Sequence, residues 1–360
     1  MSKNQSNASP SALVDYSHMG RKITGIERIS ADLFSPDALA EFDVLHTSHA
    51  SALGMIRAQW LEIPWLASRN PDAKLLFPGF PPSIAASMLF GKRVIPYIHD
   101  LFLLERLDEL NIRARLYMRP SFIYAIRHLR NFFVNSKTTE ANLRKECRAD
   151  ANIMTLRPRA ENVFGFEEIE RHMPADNAPL RFVMLGTLEP RKNYEYAAEL
   201  TGALALKIKR SVELHISGRE GWGNIADKLV SFPHVHYHGY LSVSALRDLV
   251  GQSHAFLCTS LDEGLGLPLL EVLYSGIPMV VSDIPVFREV ASLASSTFIP
   301  NTSLEQACAK LAEVLEAPGF FNGSLARAKH ATQNWNQLAD ADMEAFRAFM
   351  RRPLALNGGA

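Results

Sequence analysis

The sequence predicts a globular α/β protein of two domains built on parallel sheets, and three observations support this prediction. Short apolar runs of strand length alternate with amphipathic stretches almost throughout the chain, as expected for parallel strands joined by helices that cover both faces. The chain has 360 residues, which is enough for two domains. Its composition, 47% hydrophobic and 21% charged, is that of an ordinary globular protein.

Both halves of the chain contain predicted strands. Those in the first half are 12–16, 44–47, 74–77, 94–99, 132–135 and 153–156. Those in the second half are 181–185, 212–217, 234–237, 255–258, 279–281 and 297–299. The segment 157–179 contains prolines and lacks the regular hydrophobic periodicity of a helix or a strand. We therefore expect it to hold the linker between the two domains. The predicted domains are 1–165 and 166–335, followed by a helix and tail at 336–360.

Bulk properties limit the possible partners and location. A formal net charge of zero indicates no general affinity for polyanions. The three cysteines, Cys147, Cys258 and Cys308, lack metal-ligand spacing, and a sparse, odd number favours reduced thiols. The first ten residues lack the apolar core of a signal peptide, and no run has membrane-span length. We therefore expect a cytoplasmic protein, at most peripheral on the inner face of the membrane.

The most informative stretch follows the strand 255–258. A polar loop leads to Gly264 and Gly266, and Pro268 is expected in the first helical position. Free N–H groups and the positive end of the helix dipole would suit a phosphate there. Glu263 and Glu271 flank this place and would repel an anion, so we expect them to accept hydrogen bonds from hydroxyl groups. A nucleotide-sugar meets both requirements, although singly Glu271 could complement the dipole and Glu263 could be a solvated loop acid.

A second loop combines a strand end with two cations. The strand 181–185 runs into Gly186 and Thr187, and Arg191 and Lys192 precede the expected helix 193–206. Two cations at a helix N-terminus oppose its dipole, so an anion between them would relieve the conflict. Surface solvation of both cations is the alternative.

Other predicted strand ends carry residues suited to ligands, because α/β sheets bind ligands beyond the carboxyl ends of their strands. Gly218 follows the strand 212–217, and Gly239 and Tyr240 follow 234–237. In the first half, His99 and Asp100 end the strand 94–99, although a lone histidine is usually structural. The first strand leads to Gly20 and Gly25, for which a plain βα turn is an equal alternative.

Two of these segments resemble a known family. EGLGLPLLE at 263–271 resembles the E-x7-E signature of the retaining GT-B glycosyltransferases of family 4, and residues 275–290 continue the pattern. GTLEPRKN at 186–193 resembles the segment that grips the donor diphosphate, with Thr187 where many members have arginine. The implied fold is GT-B: two Rossmann-like domains facing each other across a cleft, acceptor on the first and donor on the second. The C-terminal helix, expected from Asn334 to Met350, would cross back to the first domain.

The resemblance also implies roles for individual residues. The catalytic residues would be His99 and Glu263, both near the reacting sugar. The diphosphate and ribose would be held by Gly186, Thr187, Arg191, Lys192, the backbone of Gly264, Leu265, Gly266 and Leu267, and Glu271. The nucleobase would lie near Gly218, Gly239 and Tyr240, and the cleft loops would contain Gly20, Gly25 and Asp100. The resemblance implies no metal or other cofactor.

The implied reaction transfers a sugar from a nucleotide-diphosphate-sugar to a glycan or lipid-linked acceptor, with retention of configuration, in bacterial exopolysaccharide or lipopolysaccharide biosynthesis. The basic stretch 113–159 is either the solvated outer face of helices or a surface that docks on anionic lipid. No nucleic-acid motif accompanies it. A non-catalytic nucleotide-sugar-binding protein and another GT-B enzyme, an epimerase or phosphorylase, are the alternatives.

Overall fold

The computed structural model describes residues 11–19, 25–47, 49, 51–106, 112, 114–291 and 296–353. The chain forms two compact units. Unit 1 contains the residues up to Arg159 and those from Leu338 onward, and unit 2 contains Ala160–Gln337. The predicted α/β class is confirmed in both.

Each unit is built on a parallel sheet, in which six strands are described. The strands of unit 1 are β1 (Ser11–Asp15), β2 (Asp43–Thr47), β3 (Lys74–Phe77), β4 (Val94–Ile98), β5 (Asn131–Val134) and β6 (Asn152–Thr155). Those of unit 2 are β7 (Leu180–Leu185), β8 (Val212–Ser217), β9 (Val235–Tyr237), β10 (Ala255–Cys258), β11 (Met279–Ser282) and β12 (Ser296–Ile299). Every predicted strand is present, with its ends within about one residue of the prediction.

The strand orders are those of doubly wound sheets. Unit 1 has the order β2-β1-β3-β4-β5-β6, and unit 2 has β12-β11-β10-β7-β8-β9. The winding reverses between β1 and β3 in unit 1 and between β7 and β10 in unit 2. Ligands of such sheets bind beyond the carboxyl ends of the strands at these reversals.

Helices cover the sheets. In unit 1 they are α1 (Gly25–Leu33), α2 (Ala52–Arg57), α3 (Ile63–Arg69), α4 (Ile84–Phe90), α5 (Phe102–Glu105), α6 (Arg119–His128) and α7 (Lys137–Glu146), with π-helical turns at Ala58–Glu62 and Ala114–Met118. In unit 2 they are α8 (Tyr194–Ile208), α9 (Ile225–Leu229), α10 (Val243–Gln252), α11 (Leu267–Val272), α12 (Pro285–Val290) and α13 (Leu304–Glu316). The final helix, α14, spans Ser324–Arg351.

The strands are buried on both faces, which explains their continuous apolar sequences. In β7, Phe182 and Met184 join one hydrophobic cluster of unit 2. Val183, which points to the other face, joins a second cluster that also contains Trp335. Among the described residues, no helix has the length and hydropathy needed to cross a membrane.

The predicted start of the last helix at Asn334 is wrong, because α14 begins at Ser324. The polar residues there are not a cap. Asn336 instead accepts a hydrogen bond from the Ala160 N–H through Oδ1 at 2.8 Å and donates to the Ala160 carbonyl through Nδ2 at 3.1 Å. Trp335 beside it is 1% exposed, in the core of unit 2.

The expected return of this helix to the first domain is confirmed, since its residues from Leu338 onward belong to unit 1. Within that unit, buried Lys74 donates through Nζ to the carbonyls of Met350 and Arg352, both at 2.7 Å. Arg157 Nη1 contacts Asp342 Oδ2, also at 2.7 Å. The Lys74 side chain thus caps the C-terminal end of α14, where carbonyls would otherwise be unpaired.

Candidate functional site

The predicted donor residues lie at the carboxyl edge of the unit 2 sheet. Gly186 follows β7 directly, and Gly218 follows β8. The loop 259–266 follows β10, the neighbour of β7. The predicted residues are therefore gathered around the reversal of winding.

Three of the predicted glycines form a continuous backbone edge. The Gly186 N–H donates to the Ser217 carbonyl, and the Gly218 N–H donates to the Gly239 carbonyl, each at 3.0 Å. Gly186 has φ +138° and Gly239 has φ +64°, both in the region that favours glycine. A Cβ on Gly218 would lie 1.8 Å from the Gly186 carbonyl oxygen, so no larger residue fits there without displacing the backbone.

The charged residues of the site form a largely buried triad of Arg191, Lys192 and Glu263. Arg191 Nη1 contacts Glu263 Oε2 at 2.7 Å, and Lys192 Nζ forms a second ion pair with Oε1. The Ser260 hydroxyl also donates to Oε1, at 2.9 Å. Burial alone would raise the pKa of Glu263, but Lys192 and Arg191 outweigh it and lower that pKa to about 2. Glu263 is therefore an anion at neutral pH.

This triad corrects one expectation. The two cations do have an anion between them, but the protein supplies it. The dipole conflict expected at Arg191 and Lys192 is already relieved by Glu263, and both of its carboxylate oxygens contact cations. The role expected for Glu263 toward sugar hydroxyls stays a prediction.

Backbone contacts hold the two loops of the triad together. The Leu261 N–H donates to the Arg191 carbonyl at 2.8 Å. The Thr259 hydroxyl donates to the carbonyls of Lys192 and Asn193, at 3.1 and 3.0 Å. Arg191 and Lys192 lie in a 3₁₀ turn, and Asn193 then takes a left-handed conformation with φ +58° before α8 begins. These contacts fix the cations before any ligand arrives.

The glycine turn before α11 depends on Gly266, whose φ is +83°. A Cβ at this position would lie 2.8 Å from the Phe287 ring. Leu267 opens the helix, so Pro268 occupies the second helical position rather than the predicted first one. Leu265 and Glu271 are buried, with Glu271 8% exposed in the helix.

Thr187 and Tyr240 lie on either side of Gly218 along this edge. Tyr194, buried in α8, donates its hydroxyl to the Gly186 carbonyl at 2.9 Å and so supports the Gly186–Thr187 turn. Tyr240 is 69% exposed, and the Arg219 guanidinium lies 4.4 Å from the centre of its ring. An exposed aromatic face of this kind suits a stacking ligand.

In unit 1, His99 follows β4 and is half-buried. Its Nε2 lies 2.7 Å from the Pro78 carbonyl. Burial lowers the pKa of His99 to about 4, so the ring is neutral at pH 7. Because a carbonyl only accepts, Nε2 must carry the proton, and Nδ1 is then an acceptor.

The other residues predicted in unit 1 have local backbone roles. Asp100 Oδ1 accepts a hydrogen bond from the Phe102 N–H at 3.1 Å, at the start of α5. Gly25 is the first residue of α1. Gly20 lies outside the described residues.

Sequence reasoning missed a polar cluster beside His99. Asp15, 2% exposed, ends β1 and accepts hydrogen bonds from the Ser17 N–H at 2.9 Å and from Gln59 Nε2 at 3.0 Å. His18 Nε2 lies 2.9 Å from the Ser30 hydroxyl oxygen. The available signal was Asp15 itself, an acid at the end of an otherwise apolar strand. Its side-chain partner Gln59 is 44 residues away and left no local pattern.

The basic stretch 113–159 is less uniformly basic in the fold than in the sequence. Arg157 and Arg159 form ion pairs with Asp342 and Asp340 of α14. Further along, Glu140 accepts contacts from Lys137 and Arg144, and Arg148 pairs with Asp150. Arg113 lies outside the described residues. The described part of this stretch is therefore partly neutralised.

Comparison with known proteins identifies the family to which the domain in unit 2 is similar. Residues 165–335 match the family model described as "Glycosyl transferases group 1". Residues 165–335 therefore carry the domain of this family, and the chain has the GT-B fold. The match covers almost all of unit 2, including every predicted donor residue.

Solved structures show the same fold over most of the chain. WaaG, a glycosyltransferase involved in lipopolysaccharide biosynthesis, aligns over 94% of this chain and 99% of its own, with a TM-score of 0.63 and 14% identity. Sucrose-phosphate synthase from Thermosynechococcus elongatus aligns over the same shares, with a TM-score of 0.67 and 12% identity. The protein HepE from Anabaena, in complex with UDP and glucose, aligns with a TM-score of 0.63 and 12% identity over the same shares.

Curated relatives match a shorter part of the chain. The serotype-specific mannosyltransferase WbdA of Escherichia coli is 34% identical over 116 residues, 31% of this chain and 14% of that protein. O-antigen chain mannosyltransferase B of E. coli is 30% identical over 122 residues, 32% of either chain. The matched part thus spans about a third or less of these relatives.

Proposed function

We propose that this protein is a glycosyltransferase that moves a sugar from a nucleotide-diphosphate-sugar to an acceptor hydroxyl with retention of configuration. The buried triad of Arg191, Lys192 and Glu263, fixed at the winding reversal of the unit 2 sheet, is the observation that carries the proposal. Two preset cations beside a glycine-lined backbone edge suit a diphosphate.

The triad supports departure of the nucleoside diphosphate. Negative charge grows on the diphosphate as the bond to the anomeric carbon breaks, and Lys192 and Arg191 stabilise it electrostatically. Lys192 Nζ faces the strand end, 3.8 Å from where a Cβ on Gly186 would lie. Glu263 keeps both cations in place and counters the positive charge that develops at the anomeric carbon. Glu271 binds the ribose hydroxyls.

The chemical step we propose is a front-face displacement. The bond between the anomeric carbon and the phosphate oxygen breaks while the acceptor oxygen bonds to the same face of that carbon. The acceptor proton passes to the leaving phosphate oxygen, and we propose that Lys192 and Arg191 stabilise the leaving group without a bound metal. We assign His99 to the hydroxyls of the reacting sugar, because its neutral ring offers Nδ1 as an acceptor.

For the biological role, we propose synthesis of a bacterial surface polysaccharide. The mannosyltransferase relatives make a mannosyl donor the first to test, and the UDP complex of HepE makes a UDP-sugar the second. The acceptor would be a glycan or a lipid-linked glycan.

A first experiment identifies the donor by thermal shift with GDP-, UDP-, ADP- and dTDP-sugars. A ligand at 100 times its dissociation constant adds about 2.7 kcal/mol to the free energy of unfolding. Transfer of radiolabelled sugar from that donor is then measured with and without EDTA. Activity that EDTA abolishes and Mg²⁺ restores would contradict the metal-free step.

Variants then test the assigned residues. Lys192→Ala and Glu271→Ala should each lower transfer by about 10²-fold or more, the scale for losing one charge-stabilising or positioning group. The control Lys228→Ala removes an exposed cation paired with Glu195 in the same unit and should leave transfer within about twofold. Wild-type rates in both test variants would contradict the assignment. Donor binding without turnover on any acceptor would favour the alternative, a non-catalytic nucleotide-sugar-binding protein.

We also propose that unit 1 docks on an anionic membrane, where a lipid-linked acceptor would be found. Alongside the predicted stretch 113–159, the segment 52–69 exposes Trp60, Leu61 and Trp65 beside Arg57 and Arg69. Aromatic and basic side chains together are typical of membrane interfaces. Trp60→Ser with Trp65→Ser should abolish co-sedimentation with vesicles rich in phosphatidylglycerol. Unchanged sedimentation would contradict this surface.

A further inference from the structure

The outer edge of the unit 2 sheet carries a cluster of histidines. β8 and β9 pair in parallel with His215 opposite His236. Val212, Leu214 and Ile216 of β8 are buried in the core, so Glu213 and His215 project from the other face. His236 and His238 belong to the same period-two series on the β9 side and are exposed.

The side chains of this cluster meet closely. His215 Nε2 lies 3.2 Å from Glu213 Oε2, and His215 Nδ1 lies 3.0 Å from His238 Nε2. The centre of the His236 ring lies 4.8 Å from the centre of the His215 ring. One ligand atom each from Glu213, His215 and His236 lies within 4.8 Å of the others.

A cluster of this composition has two interpretations. It is either a set of neutral histidines linked by shared protons or a metal site without its ion. An oxygen and a nitrogen bound to one tetrahedral ion at about 2.0–2.1 Å lie roughly 3.4 Å apart, near the 3.2 Å between Glu213 Oε2 and His215 Nε2.

We propose that Glu213, His215 and His236 bind a divalent ion of the Zn²⁺ class on the outer face of β8 and β9, with His215 contributing Nε2. Imidazole and carboxylate ligands favour Zn²⁺ and its neighbours, Ni²⁺ and Cu²⁺, over Mg²⁺ or Ca²⁺. The exposed ring of His236 can turn toward an ion at small cost. This site is separate from the triad and takes no part in the proposed transfer step.

Arg181 offers an internal check on the proposal. Its Nε donates to Glu213 Oε2 at 2.9 Å, the oxygen that His215 also contacts. A bound cation would compete with this guanidinium for the same carboxylate. Removing Arg181 should therefore tighten metal binding, which would not follow if the histidines were only a packed polar face.

The experiment is isothermal titration of untagged, EDTA-treated protein with Zn²⁺ and, separately, with Mg²⁺. We expect one equivalent of Zn²⁺ to bind with micromolar or better affinity and no saturable binding of Mg²⁺. His215→Ala and His236→Ala should each weaken Zn²⁺ binding at least tenfold, and Glu213→Gln about tenfold. Arg181→Gln should strengthen it severalfold.

The matched control is His172→Ala, which removes an exposed histidine of unit 2 outside the cluster and should leave affinity unchanged. Thermal unfolding in EDTA checks that the cluster variants fold. No saturable Zn²⁺ binding to the wild type, or equal binding by His215→Ala and His172→Ala, would overturn the proposal.

Discussion

Both units contain a doubly wound parallel sheet, but the side chains at the carboxyl edges of the two sheets differ in their charge. In unit 2 the edge carries the ionised triad of Arg191, Lys192 and Glu263. The described edge of unit 1 instead carries His99, which is neutral at pH 7, beside the buried hydrogen-bond network of Asp15. The fold leaves the edge chemistry open, and the proposed function assigns a different ligand to each edge: an anionic diphosphate to unit 2 and hydroxyl groups to unit 1.

The same contrast appears in how each edge fixes protonation. In unit 2, neighbouring cations favour the charged form of Glu263 and lower its pKa to about 2. In unit 1, burial favours the uncharged form of His99 and lowers its pKa to about 4. Neither group changes charge between pH 5 and 8, so neither should shape the pH dependence of transfer in that range.

The largest effect should come from the backbone edge of unit 2. Gly218→Ala places a Cβ 1.8 Å from the Gly186 carbonyl oxygen, so the β7 and β8 ends must separate. We expect the free energy of unfolding to fall by about 3 kcal/mol or more, as for severe overpacking, together with loss of donor binding. Urea unfolding and the thermal-shift assay measure these two effects.

Gly251→Ala is the matched control, because no atom lies within 4 Å of a Cβ placed there, near the end of α10. Alanine is the better helix former by up to about 1 kcal/mol. Gly251→Ala should therefore be neutral or slightly stabilising. If Gly218→Ala behaved like Gly251→Ala, the edge of unit 2 would not be rigid in the way described.

The second largest effect is a pH-dependent loss of stability that arises from Glu263 in unit 2. The pKa of Glu263 is lowered from 4.5 to about 2 in the folded protein, so its stabilising contribution is complete above about pH 4.5 and is lost as the pH falls toward 2. The contribution is on the order of 3 kcal/mol at about 1.4 kcal/mol per pKa unit. Glu263→Gln should lower the free energy of unfolding by about that amount at pH 7, and much less near pH 2. A constant difference between the two proteins from pH 7 to 2 would show that the triad does not act through charge.

The fold was largely predictable from the sequence, and the triad was not. Parallel strands buried on both faces appear as continuous apolar runs, as in β4 and β10, so local sequence was enough to find them. Glu263 is 71 residues from Lys192, and only the pairing of β10 with β7 brings the two together. A local view of Arg191 and Lys192 could therefore recognise the need for an anion but not that Glu263 supplies it.

Dependence on distant partners also explains why the sequence did not reveal the start of α14 or the histidine cluster. Asn336 has the residue type of a helix cap, but its partner, Ala160, is 176 residues away. His215 and His236 meet because β8 pairs with β9 in one particular register. Where a function depends on register rather than on spacing along the chain, sequence patterns alone do not reveal it.

The third effect is smaller and is a pH-dependent change in stability that arises from His99 in unit 1. The folded pKa of His99, about 4, is below the ordinary 6.5, so the unfolded chain binds more protons between pH 6.5 and 4. Stability should therefore decrease as the pH falls through that window, by on the order of 1–2 kcal/mol for a half-buried ring. His99→Gln should reduce this decrease by the share of His99. The rest should remain because burial also lowers the pKa of His254 in unit 2 to about 4, and Glu263→Gln should keep the whole decrease. Chemical unfolding at pH 7, 5.5 and 4 distinguishes the two variants. If only Glu263→Gln lost the decrease in stability between pH 6.5 and 4, that pH dependence would belong to Glu263 and not to His99.

The smallest effect should come from Tyr240, the most exposed of the predicted donor residues. Its contact with Arg219 is a solvent-exposed cation–π pair, worth about 0.5–1 kcal/mol at most. Tyr240→Ala should therefore leave the free energy of unfolding nearly unchanged, but it should weaken nucleoside diphosphate binding about fivefold if the ring stacks on the base. Tyr240→Phe keeps the aromatic face and should bind as the wild type does, in the same isothermal titration. Equal weakening in Tyr240→Phe and Tyr240→Ala would assign the contact to the hydroxyl, and no weakening in either would place the base elsewhere on the edge of unit 2.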